Sequence, residues 1–252
     1  MRKILLEICA GDIDSVYAAA RGGADRVELC CALSEGGLTP SVGMIEEALT
    51  VGGIKVNVLI RPRTGDFAYS NAELRVMVRD IETCRRLGVN GVVFGALKPD
   101  GDIDTESCRR MAEAAEGLHM TFHRAFDMCR DPRQAVKDIL ELGCDRILTS
   151  GLAATAMEGA AVIGELQAKF PSITFIAAGG VSPENVVEII ERARVREVHA
   201  SAKAITGSSM EFRNDGVNMG KADVDEYSRM TTSEEIVRKL VRAYSQCVSQ
   251  TK

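Results

Sequence analysis

Two short apolar segments of the chain carry the same Glu-x-Cys pattern. The first is Leu6-Glu7-Ile8-Cys9 and the second is Val27-Glu28-Leu29-Cys30. Alternate side chains of a β-strand share one face, so each glutamate lies on the same side as its cysteine. Thiolates select Cu(I), and Cys9 and Cys30 could bind one copper ion from neighbouring strands. The alternative interpretation, which stays open, is a pair of buried hydrophobic thiols.

Four titratable residues near the predicted strand ends are candidate catalytic groups: Glu7, Glu28, Arg61 and His123. Glutamates in apolar strands need partners, and Arg61 could pair with them or clamp an anionic ligand. His123 could act as a general base, a general acid or a metal ligand. These residues predict either a polar pocket for a small anionic molecule or a buried ion network that closes the barrel. His199, on the last predicted strand, is equally consistent with an inward or a core position.

A second candidate site follows the last two predicted strands. Gly179 and Gly180 come after the seventh strand, and Ser201 comes after the eighth. In eight-fold α/β barrels this corner commonly holds phosphate, through backbone N–H groups and a helix N-terminus. We therefore expect Gly179, Gly180 and Ser201 to bind an anionic group. Together with the proton-transfer residues, they indicate an isomerase or a lyase acting on a small anionic metabolite, for example a phosphorylated one.

The elements that must position these residues form a regular alternation of strands and helices. The strand candidates are Ile4 to Cys9, Arg26 to Cys30, Lys55 to Ile60, Gly91 to Phe94, Met120 to His123, Arg146 to Thr149, Thr174 to Ala178 and Glu197 to Ala200. Eight such units predict an α/β fold of the TIM-type (β/α)8 class, with parallel strands. An open doubly wound sheet is the alternative, although no Gly-x-Gly-x-x-Gly follows the first strand.

The whole chain, 1–252, is expected to form a single barrel domain with one long loop at about 203–232 before the final helix. A loop of that length in a compact domain is commonly functional or contacts another chain. Two helix starts are marked by a capping residue before proline, at Asp131-Pro132 and Ser182-Pro183.

Composition excludes several classes of function. The 252 residues carry a net charge of −5, whereas nucleic-acid-binding proteins normally show a basic excess. No apolar run approaches the roughly 20 residues that span a bilayer, so no membrane partner is expected. The eight cysteines form no Cys-x-x-Cys pair. We expect free thiols, as in a reducing compartment.

Several longer stretches allow a comparison with a known family. They are GGADRVELC (22–30), LSEGGLTPS (33–41), IRPR (60–63), GDF (65–67), VFGAL (93–97), TFHRAFD (121–127), LTSG (148–151) and FRN (212–214). On these motifs the chain resembles the CutC family, called copper homeostasis proteins, over nearly its whole length. The resemblance implies a barrel fold, a cytoplasmic location and self-association into dimers or tetramers. It also implies a Cu(I) site at two cysteines near the ends of strands one and two, here Cys9 and Cys30.

Overall fold

Eight parallel strands close into one barrel in the computed structural model, with β8 beside β1. The structure describes residues 3–214, 216, 217, 219 and 225–250. The barrel strands are β1 (Leu5–Ala10), β2 (Arg26–Leu29), β3 (Lys55–Leu59), β4 (Gly91–Phe94), β5 (His119–Phe122), β6 (Arg146–Thr149), β7 (Thr174–Ala178) and β8 (Glu197–Ala200). This is the TIM-type (β/α)8 barrel that the sequence predicts.

Helices follow the strands and surround the barrel. They are α1 (Ile13–Gly22), α2 (Val42–Leu49), α3 (Asn71–Leu87), α4 (Thr105–Ala114), α5 (Pro132–Glu141), α6 (Ala156–Lys169), α7 (Val186–Ala193) and α8 (Glu234–Gln250). Short 3-10 helices cover Leu33–Glu35 and Arg124–Met128. Within the described ranges, none of the helices combines the length and the apolar character that crossing a membrane requires.

One of the two predicted helix starts is confirmed and the other is wrong. Asp131 caps α5, because its side chain accepts from the first free N–H groups of that helix. Before α7, the Ser182 amide donates to Asn185 Oδ1 at 2.8 Å and the Asn185 amide donates back to the Ser182 carbonyl at 3.2 Å. These bonds close a separate turn around Pro183, and the helix begins only at Val186.

Strand alternation divides the core into two parts. Outward residues such as Leu6 and Ile8 belong to the large apolar cluster that includes the buried faces of the helices. Among the described residues, two small apolar clusters lie inside the barrel, one around Leu59 and Val93 and one around Leu148. Polar side chains therefore fill much of the remaining interior.

A buried ion network crosses the barrel interior between the first and last strands. Arg26 binds Glu7 through Nε and Glu197 through Nη2, the latter at 2.6 Å. Arg146 Nε lies 3.3 Å from Glu197 Oε2. Because buried charges are tolerated only when paired, this network explains how Glu7 and Glu197 lie in the interior of the barrel. It corresponds to the buried-network interpretation of the strand glutamates, with Arg26 as the partner that the sequence analysis did not identify.

The segment expected to be one loop at 203–232 begins and ends in strands. Strand β9 (Lys203–Gly207) pairs antiparallel with β10 (Ser228–Thr232), and residues 215, 218 and 220–224 lie outside the described part. The resulting two-stranded arm is fastened to α1, because Arg229 binds Asp12 at 3.2 Å and Asp14 at 2.6 Å.

Candidate functional site

A cavity of about 360 Å³ opens at the carboxyl ends of the barrel strands. This is the face on which barrel enzymes carry their active sites. Seven of the nine predicted site residues line it: Cys9, Glu28, Arg61, His123, Gly179, Gly180 and Ser201. The remaining two, Glu7 and Cys30, are fully buried and are not part of its lining. The expectation that the polar strand ends share one cavity therefore holds for most, but not all, of the residues.

The two predicted metal ligands are adjacent. Cys9 Sγ lies 3.7 Å from Cys30 Sγ, with both side chains buried. Cys9 is the register partner of Glu28, and its thiol donates to Glu28 Oε2 at 3.3 Å. The hydrogen bond with Cys30, burial and the nearby carboxylate raise the pKa of Cys9 well above its ordinary value. Without a metal, the Cys9 sulfur is a protonated thiol at neutral pH.

His199 connects this thiol pair to the ion network. Its Nδ1 lies 2.8 Å from Glu7 Oε1 and its Nε2 lies 3.8 Å from Glu28 Oε2. Burial opposes ionisation of Glu7, but Arg26 and His199 outweigh it and lower the Glu7 pKa to about 2. Burial likewise opposes a charge on His199, yet the two carboxylates raise the His199 pKa. His199 therefore lies inward, which answers the question that the sequence left open.

Glu28 is the least satisfied carboxylate in the site. Burial is the largest influence on it and raises its pKa. Its Oε1 atom is buried without a hydrogen bond partner among the described residues. Donor atoms of Cys9, Glu28 and His199 all lie within 4.8 Å of one another. The sulfur of Cys30 extends this group, so thiol, imidazole and carboxylate ligands meet at one point.

Arg61 does not pair with the glutamates, contrary to one expectation from the sequence. Its Nη1 donates to the carbonyls of Glu35 and Gly37, both at 3.0 Å, and its Nη2 donates to the Gly65 carbonyl at 2.9 Å. The guanidinium thus fixes the loops after β2 and β3 and lines the cavity. The charge partner of Glu7 is Arg26, which lies at the start of β2 and enters the interior by strand alternation.

His123 is buried on the opposite side of the cavity. Its Nδ1 accepts from the Ala125 amide at 3.2 Å, at the start of a 3-10 helix. Burial, with a contribution from Arg61, lowers its pKa to about 3. The ring of Phe67 covers both neighbours: its centroid is 4.8 Å from that of His123 and 5.3 Å from Arg61 Cζ. His123 is therefore a neutral imidazole at pH 7.

The rim of the cavity combines the predicted glycine turn with two cations. Gly179 and Gly180 have φ of +101° and +71°, a conformation that favours glycine. Their carbonyls accept from the Ala156 amide and from Asn185 Nδ2, each at 2.8 Å. The cations Arg124 and Lys203 also line the cavity. Neither cation was among the predicted site residues, although Arg124 directly follows His123 and Lys203 comes two residues after Ser201.

Arg124 is held in place by a polar cluster at the end of β6. Its Nε donates to Asp127 Oδ2 and its Nη2 donates to Ser150 Oγ, both at 2.8 Å. Asp127 also accepts from the amides of Ser150 and Leu152, at 3.0 and 3.2 Å. A carboxylate with this many donors has little capacity left for a ligand, so we interpret Asp127 as the support of the rim.

Comparison with known proteins identifies the family. The model of the CutC family matches residues 4–204. A CutC family protein of Bacteroides thetaiotaomicron is 45% identical over 248 residues, covering 96% of this chain and 99% of the relative. One of Chromobacterium violaceum is 46% identical over 240 residues, covering 95% and 97%.

A solved structure agrees with these sequence matches. It is CutC from Streptococcus agalactiae, whose name assigns it to copper homeostasis. The two chains share 35% identity with a TM-score of 0.75, and the match covers 79% of this chain and 98% of the other. The family match, the two relatives and this structure agree, and the chain therefore belongs to the CutC family.

Proposed function

We propose that this protein binds Cu(I) through Cys9 and Cys30 and serves copper homeostasis. The observation that carries the proposal is the 3.7 Å separation of the two sulfurs. It is far longer than the roughly 2.05 Å of a disulfide. It lies within the reach of one ion bonded to both sulfurs at about 2.3 Å each. The name of the Streptococcus agalactiae relative supports the same class of function.

His199 is the best third ligand. Its Nδ1 binds Glu7, which leaves Nε2 on the side of Glu28 and Cys9. Metal-ligating histidines commonly bind a carboxylate through the other ring nitrogen, which fixes the ring and raises its basicity. Imidazole suits copper, and thiolates favour its reduced form. Copper bound here would be held by soft ligands and would release the thiol proton of Cys9.

A competition titration tests the copper proposal. Reduced protein is titrated with Cu(I) against a chromophoric Cu(I) chelator, and the double variant Cys9→Ser with Cys30→Ser is compared with wild type. We expect the double variant to lose at least a hundredfold in affinity. The matched control is Cys84→Ser, a buried thiol on α3. Equal affinity of the double variant and wild type would refute the copper proposal.

Location and assembly belong to the same proposal. We infer a cytoplasmic protein that works as a homodimer or homotetramer. The arm of β9 and β10 supports self-association, because Ile205, Phe212 and Met230 are exposed on or beside it. Two-stranded sheets are marginal alone, and exposed apolar patches commonly mark interfaces. Analytical ultracentrifugation should give a dimer or tetramer for wild type, and Ile205→Ser with Met230→Ser should shift it toward monomer.

A second candidate function is an isomerase or lyase that acts on a small anionic metabolite. The observation that favours it is the rim, where the turn of Gly179 and Gly180 adjoins Ser201, Arg124 and Lys203. Glycine turns with cations suit a phosphate or carboxylate group. A cavity of about 360 Å³ is also large for a metal ion alone.

Phosphate binding tests this second candidate. Calorimetric titration with inorganic phosphate should show binding that Lys203→Ala weakens about tenfold or more. The control is Lys55→Ala, an exposed lysine at the opposite end of the barrel, at the start of β3. If wild type does not bind phosphate at millimolar concentration, the rim is not an anion site and the second candidate is lost.

A further inference from the structure

Two buried donors of the cavity wall are unused. His123 Nε2 and Arg61 Nε are each shielded from solvent and have no hydrogen bond partner among the described residues. Both side chains line the cavity and both lie against Phe67. An unsatisfied buried donor is destabilising and calls for an explanation, and a ligand in the adjoining cavity would supply one.

The tautomer of His123 makes its free atom a donor. Because Nδ1 accepts from the Ala125 amide, the single proton of the neutral ring must be on Nε2. Burial, and to a smaller extent the positive charge of Arg61, lower the pKa of His123 and so oppose a second proton. In this tautomer and at neutral pH, His123 is not set up to accept a proton, because Nδ1 is occupied by the Ala125 amide and Nε2 already carries the hydrogen. Its Nε2 is therefore a hydrogen bond donor.

Arg61 is a rigid donor. Three backbone carbonyls hold its terminal nitrogens, so its Nε–H has a fixed direction. The direction of this donor is therefore set before a ligand arrives, and a ligand oxygen reaches it once the covering ring of Phe67 moves aside. Neutral imidazole beside a fixed guanidinium is suited to an oxygen that gains negative charge, as a carbonyl oxygen does when the adjacent carbon loses a proton.

We propose that the cavity binds a small phosphorylated carbonyl compound, whose carbonyl oxygen accepts from His123 and Arg61 while its phosphate lies at the Gly180 and Lys203 rim. This inference rests on the second candidate function and names its substrate class. Glu28 also lines the cavity. A ligand bound at its carbonyl by His123 and Arg61 and at its phosphate by the rim would therefore lie beside the thiol site. This ligand would give a partner to each of the two unsatisfied donors, which have no role in the proposed copper site.

A matched ligand pair tests the carbonyl half of the proposal. Dihydroxyacetone phosphate and glycerol 3-phosphate differ only in having a carbonyl or a hydroxyl at the middle carbon. We expect the carbonyl ligand to bind at least tenfold more tightly to wild type, as sites built around a specific polar group discriminate strongly. His123→Gln should reduce that ratio to below about threefold. His119→Gln, at the exposed start of β5, should leave it unchanged.

Nitrogen NMR of the histidines provides a readout that does not depend on a variant folding. The chain has three histidines, so their ring signals are easily assigned. In wild type, His123 should stay neutral with its proton on Nε2, and dihydroxyacetone phosphate should shift the Nε2 resonance. Equal affinity for the two ligands together with an unmoved resonance would overturn this inference, while phosphate binding lost in Lys203→Ala would keep the second candidate. Failure of wild type to bind any of the phosphates would remove both.

Discussion

His199 Nδ1 lies 2.8 Å from a carboxylate oxygen of Glu7, although the two residues are 192 positions apart in the chain. They are register partners where β8 meets β1. The contact fixes the imidazole so that Nε2 lies 3.8 Å from Glu28 Oε2. Glu7 itself does not line the cavity, so any influence that it has on bound ligands passes through the histidine ring.

Glu7→Gln should weaken Cu(I) binding by about tenfold to a hundredfold, the usual cost of losing a carboxylate behind a metal-ligating histidine. It should also lower the unfolding free energy by about 3 kcal/mol, because Arg26 loses a buried partner. Chelator competition and urea denaturation measure the two effects. Glu188→Gln, an exposed member of a helical ion pair on α7, is the control. Unchanged copper affinity in Glu7→Gln would show that His199 is not an oriented ligand.

Copper affinity should rise with pH. The pKa of Cys9 is well above its ordinary value because of Cys30, burial and Glu28. Metal binding must therefore displace a proton from Cys9, and the apparent affinity should increase about tenfold per pH unit for each proton released. Titrations at pH 6, 7 and 8 measure this slope. Cys9→Ser should lower the slope by about one proton, and a flat wild-type profile would contradict the assignment of Cys9 as ligand.

The unfolding free energy should decrease in mild acid because His123 is buried in its neutral form. Its pKa is about 3 in the folded state against 6.5 when unperturbed. The unfolded chain thus binds the additional proton, and the unfolding free energy falls as the pH drops below 6.5. Between pH 6.5 and 5 the loss should be about 2 kcal/mol.

Denaturation of wild type and His123→Gln across that window isolates the effect. Between pH 6.5 and 5, the unfolding free energy of the variant should fall by about 2 kcal/mol less than that of wild type. Glu7 does not interfere, because its contribution, with a pKa lowered to about 2, is lost only at more acidic pH. The raised pKa of His199 acts with the opposite sign, and its contribution is lost as the pH rises above 6.5. Parallel pH profiles for the two proteins would refute a neutral buried His123.

Gly159 should be irreplaceable, because α6 passes directly over the end of β6 there. A Cβ atom on Gly159 would lie 1.9 Å from the Ser150 carbonyl oxygen. Gly159→Ala should cost about 4 kcal/mol or more, since the obstacle is backbone. At Gly43, in α2, nothing lies within 4 Å of the added atom, and Gly43→Ala should be neutral or stabilise by up to about 1 kcal/mol. Thermal denaturation compares the two, and similar melting temperatures would contradict the close approach.

The barrel strands were predictable because the pattern of apolar and turn-forming residues along the sequence is enough to locate them. Apolar runs bounded by turn residues give β4, β6, β7 and β8 their predicted bounds. The arm was not predictable, because β9 and β10 expose apolar residues such as Ile205 and Met230, and Thr232 is the one buried residue among their described positions. The start of α7 was misplaced because Asn185 forms a turn with Ser182 that no local signal distinguishes from a cap.

The candidate site was predictable by residue type but not by partner. Glu7 and Glu28 are recognisable in the sequence because they are charged residues within apolar strands. Arg26 and Glu197 are the first residues of their strands, where charged residues are common and give no signal. The pairing of Arg26 with Glu7 and Glu197 depends on closure of the barrel between β8 and β1, which no local window contains. For the same reason His199 could not be joined to Glu7 before the strand order was known.

Closure of the barrel also dictates when the proposed copper ligands can come together. Cys9 and Cys30 leave the ribosome early, but His199 follows roughly 170 residues later and reaches them only when β8 adds to β1. A nascent chain therefore carries two thiols without their imidazole neighbour during most of its synthesis. The complete set of proposed ligands therefore exists only in the closed barrel, and a chain that ends before β8 should lack it.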